Sequence, residues 1–213
     1  MKLSTPTVSD ALDRLQVGGA LRGILPLWPA CPRLVGPAAT MKLLPPREGP
    51  SPVIGTMEAV KAAQPGDVLV IDHGGRTDAN SYGGIAGFTT RHFGLAGCVI
   101  DGATRDIDDI MALNLPVYAR GVIQTSIRNR CSDGGHGIEV QLGGVKVRPG
   151  DLIMGDLNGI LVIPKEHIEQ VLEIAKGFKE MEDRIVEAIR SGTDPSEAHE
   201  KERYDALIAQ PRR

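Results

Sequence analysis

The chain has few aromatic residues, three Phe, three Tyr and one Trp among 213. A core must therefore be built from Gly, Ala, Val, Ile and Leu, which suits an α/β chain with tight turns. Cysteine is scarce too: Cys31, Cys98 and Cys131 are odd in number, far apart and without a CxxC pair. That spacing excludes a disulfide framework and a thiolate zinc site, and reduced thiols in the cytoplasm are expected. No apolar run approaches the length of a membrane span, and the start, MKLSTPTVSDALDRL, lacks the apolar core of a secretion signal, so neither membrane insertion nor export is expected. The charge excess is small, with a formal net charge of -3, which argues against nucleic-acid binding driven by charge.

The catalytic motifs that are missing narrow the field further. The five histidines, His73, His92, His136, His167 and His199, show neither HxH nor HExxH spacing, which disfavours a histidine-bound transition metal. No GxGxxG, GK[ST] or GxSxG sequence occurs, so dinucleotide, P-loop and nucleophile-elbow chemistry lack their signatures. CSDGGHG (131 to 137) lacks the ladder of oxygen ligands that a calcium loop needs.

What is present reads as alternating elements. Thr5-Pro6 looks like a helix start that leads to a short amphipathic helix with Val8, Leu12 and Leu15 on one face. PPREGPSP (45 to 52) reads as a surface loop, followed by a helix near Thr56 to Ala63. DVLVID (67 to 72), GCVID (97 to 101) and PVYA (116 to 119) read as buried strands, alternating with helices at Tyr82 to Phe93 and Arg105 to Leu113. Such alternation implies β-α units with parallel pairing. After Ile123 the chain turns to short strands between Gly pairs, and it closes with a helix from about Lys165 to Arg190. The organisation expected is an α/β domain over 1–192 and a helical tail over 193–213, in which Tyr204, Leu207 and Ile208 are too sparse to hold a helix in place alone.

Three features could carry chemistry. In VIDGATRDIDDI (99 to 110), Arg105 and Asp106 stand side by side after a strand, at the mouth of a helix. A salt-bridged helix start explains them, and so does a site for a small anion and a metal, because the carboxyl ends of strands and free helix N–H groups collect ligands there. In DHGGRTDANSYGGIAGF (72 to 88), the amides around Gly83, Gly84, Ile85 and Ala86 could receive a carboxylate; His73 reads as a polar loop residue at its edge. On the closing helix, Glu182 falls in the apolar stripe of Ile168, Val171, Leu172, Ala175, Phe178, Ile185 and Ile189. A carboxylate there, if buried, needs a partner or a metal, and a neighbouring subunit's site would supply one.

TVSDALDRL, YGGIAG, GLAGCVIDGATRDIDDI, LPVYARG and GGVKVRPGDLIMGDLNGILVIP together resemble the RraA-like family. That family includes the class II 4-hydroxy-4-methyl-2-oxoglutarate (4-carboxy-4-hydroxy-2-oxoadipate) aldolases and the regulator of ribonuclease E activity. The resemblance implies an α/β/β sandwich of the phosphohistidine swivelling-domain type, here with a C-terminal helical extension. It implies a homotrimer, or a hexamer of two trimers, with sites between subunits. It makes Asp106 the one direct protein ligand of Mg²⁺ or Mn²⁺, Arg105 and the amides at Gly83 to Ala86 the binders of a pyruvate-like moiety, and Glu182 the acid lent by the adjacent subunit. The activity implied is metal-dependent C–C cleavage of a small 2-oxo acid through a pyruvate enolate, as an aldolase or an oxaloacetate decarboxylase. The alternative is a non-catalytic regulator that binds a ribonuclease or another protein. One departure stands out: many aldolase members carry an acidic residue where this chain has Gly84, and Asp78 and Asp101 are the candidates to replace it.

Overall fold

The computed structural model describes residues 2–49 and 51–203. They fall into two compact units, one formed by Ala20–Lys165 and the other by the two ends of the chain. In chain order the elements are α1 (Thr5–Arg14), β1 (Leu25–Pro26), β2 (Leu34–Leu44), α2 (Pro52–Ala62), β3 (Val68–Asn80), α3 (Gly84–His92), β4 (Gly97–Thr104), α4 (Ile107–Ala112), β5 (Val117–Ala119), β6 (Gly121–Val122), β7 (Ser132–His136), β8 (Val140–Leu142), β9 (Val145–Val147), β10 (Leu152–Asp156), β11 (Gly159–Ile163), α5 (Ile168–Arg190) and α6 (Pro195–Glu202). No helix among the described residues is long and apolar enough to cross a membrane.

The Ala20–Lys165 unit is a mixed α/β fold. Its main sheet runs β1-β5-β4-β3-β2-β10-β11. The pairs β2–β3, β3–β4 and β4–β5 are parallel, as the β-α alternation predicts, whereas β1, β10 and β11 join antiparallel. The sheet nearly closes into a barrel: Ala20, ahead of β1, bridges Leu161 on β11, and Leu21 N donates to Ile160 O at 3.0 Å. The central strands are buried on both faces, which is why they read as unbroken apolar runs. On β3, Leu69 and Ile71 enter one core with Val60, Ala86 and Ile110 of the helices. Val68 and Val70 enter a second core with Val99, Tyr118, Ile153 and Val162. Cys31, Cys98 and Cys131 are all buried and unbridged.

Several boundaries differ from the sequence reading. Ser4, not Thr5, caps α1, its Oγ accepting from Thr7 N at 3.3 Å. α2 starts at Pro52, which takes the first helical position that its fixed φ favours. α4 begins only at Ile107, because Asp106 adopts a left-handed conformation. CSDGGHG contains a strand, β7, paired with β2. The largest departure is β3, expected to end at Asp72 but continuing to Asn80. Its register against β4 shifts twice, with Asp72 opposite Asp101, Arg76 opposite Gly102 and Asn80 opposite Ala103. Gly74 and Gly75, at φ 64° and 74°, supply the positive-φ backbone that the first bulge requires.

In the other unit, α1 packs on α5 and α5 on α6. Val8, Ala11 and Leu12 of α1 and Val171, Ala175, Phe178 and Ile185 of α5 are buried, and the Arg14 guanidinium lies 6.0 Å from the Phe178 ring centroid. The buried stripe is narrower than expected: Leu172 is half-buried and Ile189 exposed. Asp194 caps α6 by accepting from Ser196 N and Glu197 N, and Arg184 Nη2 meets Glu202 Oε2 at 2.7 Å. The expected apolar residues of the tail, Tyr204, Leu207 and Ile208, lie outside the described residues.

Leu69 is fully buried in the center of the sheet. Leu69→Ala is expected to lower the unfolding free energy by about 2–5 kcal/mol in urea titrations, and Glu58→Ala, on the exposed face of α2, by less than about 0.5 kcal/mol.

Candidate functional site

A carbonyl with three donors organises the site. Tyr82 follows β3, and its carbonyl oxygen accepts from Arg105 N at 3.1 Å, Thr104 Oγ1 at 2.8 Å and Asn80 Nδ2 at 3.1 Å. The end of β4 is thereby fastened to the turn that opens α3. Ser81 adds a second tie, its N donating to Ala103 O at 2.9 Å. Asn80 is 4% exposed and uses both ends of its amide, its Oδ1 accepting from Ile127 N at 2.7 Å. Asn80 N also donates to Thr125 O at 2.9 Å. Three separate segments, 80–86, 104–106 and 125–128, are thus brought to one place.

Asp106 sits at the cap position of α4 with φ 57° and ψ 44°. For a residue with a Cβ this conformation costs on the order of 1–2 kcal/mol, and such outliers concentrate at functional sites. The backbone aims the carboxylate back at α3, where Oδ2 accepts from Gly84 N at 2.9 Å. A Cβ at Gly83 would lie only 2.6 Å from that same Oδ2, so the turn closes on the carboxylate because it has no side chain there. Asp106 Oδ1 accepts no hydrogen bond from the described residues. Arg105 Nε lies 3.4 Å from Asp106 Oδ2 yet is shielded from solvent without a hydrogen-bond partner among the described residues.

These residues border a small open pocket of about 80 Å³, which Gly83, Gly84, Ile85, Ala86, Arg105 and Asp106 all line. The structure therefore gathers six of the seven residues singled out from the sequence. The seventh, Glu182, is half-buried on α5 in the helical unit. Gly84 N–H, expected to face a ligand, is taken by Asp106, which leaves the Ile85 and Ala86 N–H groups without an acceptor among the described residues. Arg128 also lines the pocket; it was missed because no local motif marks it, and the hydrogen bonds of Asn80 to Thr125 and Ile127 bring its segment there. With Arg105 it makes two guanidiniums at a pocket rimmed by helix amides, an arrangement that suits an anionic ligand.

The two acids considered as replacements at Gly84 are committed elsewhere. Asp78 forms a bidentate pair with Arg76 at 3.0 and 2.8 Å. Asp101 is buried, bonded to Arg120 Nε and accepting from Gly143 N at 2.9 Å. His73 is a buried residue of β3 rather than a loop residue, 2% exposed, with Nε2 3.1 Å from Cys131 Sγ. Burial, reinforced by the nearby Arg76 guanidinium, pushes its pKa from 6.5 down to about 4, against the opposing pull of Asp78, Asp101 and Asp72. Among the described residues no group of three or more His, Cys, Asp or Glu side chains converges to hold a metal. A cation held here would rest on one or two carboxylates and water, a shell that Mg²⁺ and Mn²⁺ accept and zinc does not favour.

The network generates two predictions. Asn80→Ala leaves the buried Ile127 N–H without its acceptor and removes one of the three donors to Tyr82 O, and should cost about 1–3 kcal/mol in chemical denaturation. For His73, the unfolded chain takes up a proton as pH falls through about 6.5 while the folded chain resists until about 4. Stability is therefore retained above this window and lost progressively within it, by roughly 3 kcal/mol from this group. His73→Gln should remove that component, seen as a smaller fall in urea midpoint between neutral pH and the lower limit of the window.

The family model described as Aldolase/RraA matches residues 5–162. Protein DlpA of Legionella pneumophila is 31% identical over 93% of this chain, which spans only 32% of that relative's length. A protein of Halalkalibacterium halodurans named "Putative 4-hydroxy-4-methyl-2-oxoglutarate aldolase" is 37% identical over 82% of this chain and 79% of its own. A crystal structure from Pseudomonas syringae pv. tomato superposes with TM-score 0.86 at 32% identity, covering 93% of this chain and 90% of its own. Streptomyces coelicolor RraAS2, described as an unusual member of the RNase ES inhibitor RraA protein family, superposes with TM-score 0.77 at 26% identity over 85% and 90%. With the match spanning both the pocket segments and the closing strands of the sheet, the chain belongs to the RraA-like family.

Proposed function

We propose that this chain is a divalent-cation-dependent C–C lyase that acts on a small 2-oxo acid, cleaving 4-hydroxy-4-methyl-2-oxoglutarate, decarboxylating oxaloacetate, or both. The carrying observation is Asp106, a carboxylate in left-handed backbone with Oδ1 uncommitted, beside Arg105 and the N-terminal amides of α3. The donor set fits the group: a lone hard oxygen ligand at an open pocket, with room for water, matches Mg²⁺ or Mn²⁺. When bound, such a cation supplies Lewis acidity toward the 2-oxo group.

The residues divide the remaining work. Ile85 N–H and Ala86 N–H receive the carboxylate adjoining the 2-oxo group, at the positive end of α3. Arg105, whose Nε has no other hydrogen-bond partner among the described residues, offsets the negative charge that collects on the pyruvate fragment as the C–C bond breaks. Electrostatic groups preorganised in this way are typically worth about 3 kcal/mol each. Arg128 faces the second carboxylate that both substrates carry. Decarboxylation needs no base, whereas aldol cleavage must remove the proton of the 4-hydroxyl. In a homotrimer, or a hexamer of two trimers, Glu182 of an adjacent subunit takes that role by holding a water. Ile85 and Phe88, 75% and 61% exposed on α3 beside the pocket, support association of copies at this edge.

A second reading, a non-catalytic regulator of a ribonuclease, draws on the likeness to RraAS2. Turnover separates the two. Pyruvate formation from oxaloacetate is expected with Mg²⁺ or Mn²⁺, to stop with EDTA, and to fall by about a hundredfold or more in Asp106→Ala. Metal-independent turnover overturns the cation-dependent mechanism, and no turnover on any 2-oxo acid sinks the lyase reading and leaves the regulator.

A further inference from the structure

Beyond Arg128 the candidate pocket gives way to a larger chamber of about 550 Å³, whose walls include Arg47, Ser51, Val53, Ile54, Arg128 and Ser132. Val53 and Arg128 line both spaces, so a ligand whose 2-oxo acid end lies at Asp106 can extend into the chamber. A single carboxylate there would leave most of the volume to water.

The chamber carries charge of one sign. Arg47 and Arg128 are its only charged walls among the described residues, and neither guanidinium makes a hydrogen bond or ion pair among them. Glu48 and Asp133, the acids closest in sequence to these walls, do not line it. The main chain beneath both arginines is pinned. Ser132, 3% exposed, accepts from Arg47 N at 2.8 Å and donates its hydroxyl to Arg47 O at 2.9 Å. Next to Arg128, Ile127 N is held by Asn80 Oδ1. Two like charges kept at one cavity repel, and an anion between them removes that cost. Further donors come from α2, an 11-residue helix whose cap residue Ser51 makes no side-chain capping bond. The Val53 and Ile54 N–H groups of its first turn have no acceptor among the described residues. Two guanidiniums, a hydroxyl and two amides exceed what one carboxylate can use. A phosphate monoester, with three terminal oxygens and nearly two negative charges, matches them.

We infer that the chamber binds the terminal phosphate of a longer 4-hydroxy-2-oxo acid, and that Arg47 is the residue that selects for it. This rests on the lyase reading and extends its substrate class. In such a substrate the C3–C4 bond breaks, C3 keeps the bonding pair as the pyruvate enolate and takes up a proton, and C4 becomes an aldehyde as the 4-hydroxyl gives up its proton. The products are pyruvate and a phosphorylated aldehyde.

The test is calorimetric titration of the intact chain, with Mg²⁺ and without inorganic phosphate, using ligands that lack the 4-hydroxyl and so cannot be cleaved. The 6-phosphate of 6-hydroxy-2-oxohexanoate is expected to bind about 10–100-fold tighter than 6-hydroxy-2-oxohexanoate itself, the range for hydrogen bonds to a charged group. It should also bind tighter than 2-oxooctanedioate, which ends in a carboxylate at matching length. Arg47→Ala should abolish the advantage of the phosphate and leave affinity for the hydroxyl compound unchanged, with Arg47→Lys retaining part of it. Thermal unfolding checks that each variant is folded. Equal binding of the phosphate and hydroxyl compounds, an octanedioate as tight as the phosphate, or an undiminished advantage in folded Arg47→Ala overturns the inference. Butyl phosphate, which has no 2-oxo acid end, should bind more weakly than the oxo acid phosphate; equal affinity overturns the substrate assignment in favour of a separate phosphorylated ligand. If butyl phosphate binds through Arg47 while neither pyruvate nor 6-hydroxy-2-oxohexanoate binds at all, the lyase reading falls and the phosphate site stands without it.

Discussion

The pocket depends on one buried oxygen. Tyr82 O collects the Arg105 N–H, the Thr104 hydroxyl and the Asn80 amide, and in doing so holds the ends of two parallel strands at a fixed separation. Buried polar groups are stabilising only when all are satisfied, so such a network specifies one arrangement and penalises others. The Tyr82 ring is anchored as well, its hydroxyl donating to Thr90 Oγ1 at 2.8 Å on α3. The residues that would meet a ligand lie on turns, but these turns are tied to the sheet by hydrogen bonds that exclude slack.

Asp106 inherits its geometry from that frame. With Arg105 N fixed, the chain has one residue in which to leave β4 and enter α4, and the left-handed turn at Asp106 accomplishes it. The unfavourable backbone is offset by the hydrogen bond to Gly84 N and by the six-residue helix that follows. The adjacent cation and anion in the sequence are thus both a salt-bridged helix start and the edge of a pocket: the 3.4 Å contact supports the first description, and the uncommitted Oδ1 supports the second.

Much of this was legible in the sequence. The parallel strands announced themselves because burial on both faces demands unbroken β-branched and aliphatic runs, as in DVLVID and GCVID. Arg105, Asp106 and the glycine turn were visible because the ends of β-α units are where free amides collect. The continuation of β3 to Asn80 was not, since its glycines and charged residues carry no period-2 pattern and its pairing is set by bulges against β4. His73 looked polar and therefore exposed, whereas its burial depends on Cys131, distant in sequence. Asn80 and Arg128 had no local signal either, because what makes each matter is a hydrogen bond between segments more than forty residues apart, from Asn80 Oδ1 to Ile127 N.

The helical unit has a history that its finished form conceals. Val8, Ala11 and Leu12 of α1 are buried against α5, whose contributing residues run from Val171 to Ile185. At translation rates of about 5–20 residues per second, the ribosome needs on the order of ten to thirty seconds to span that interval. Throughout it the amphipathic N-terminal segment emerges with its apolar side uncovered, long before its mate exists. Until α5 has been made, α1 therefore carries an uncovered apolar face, a sticky patch that waits through the synthesis of every strand of the sheet.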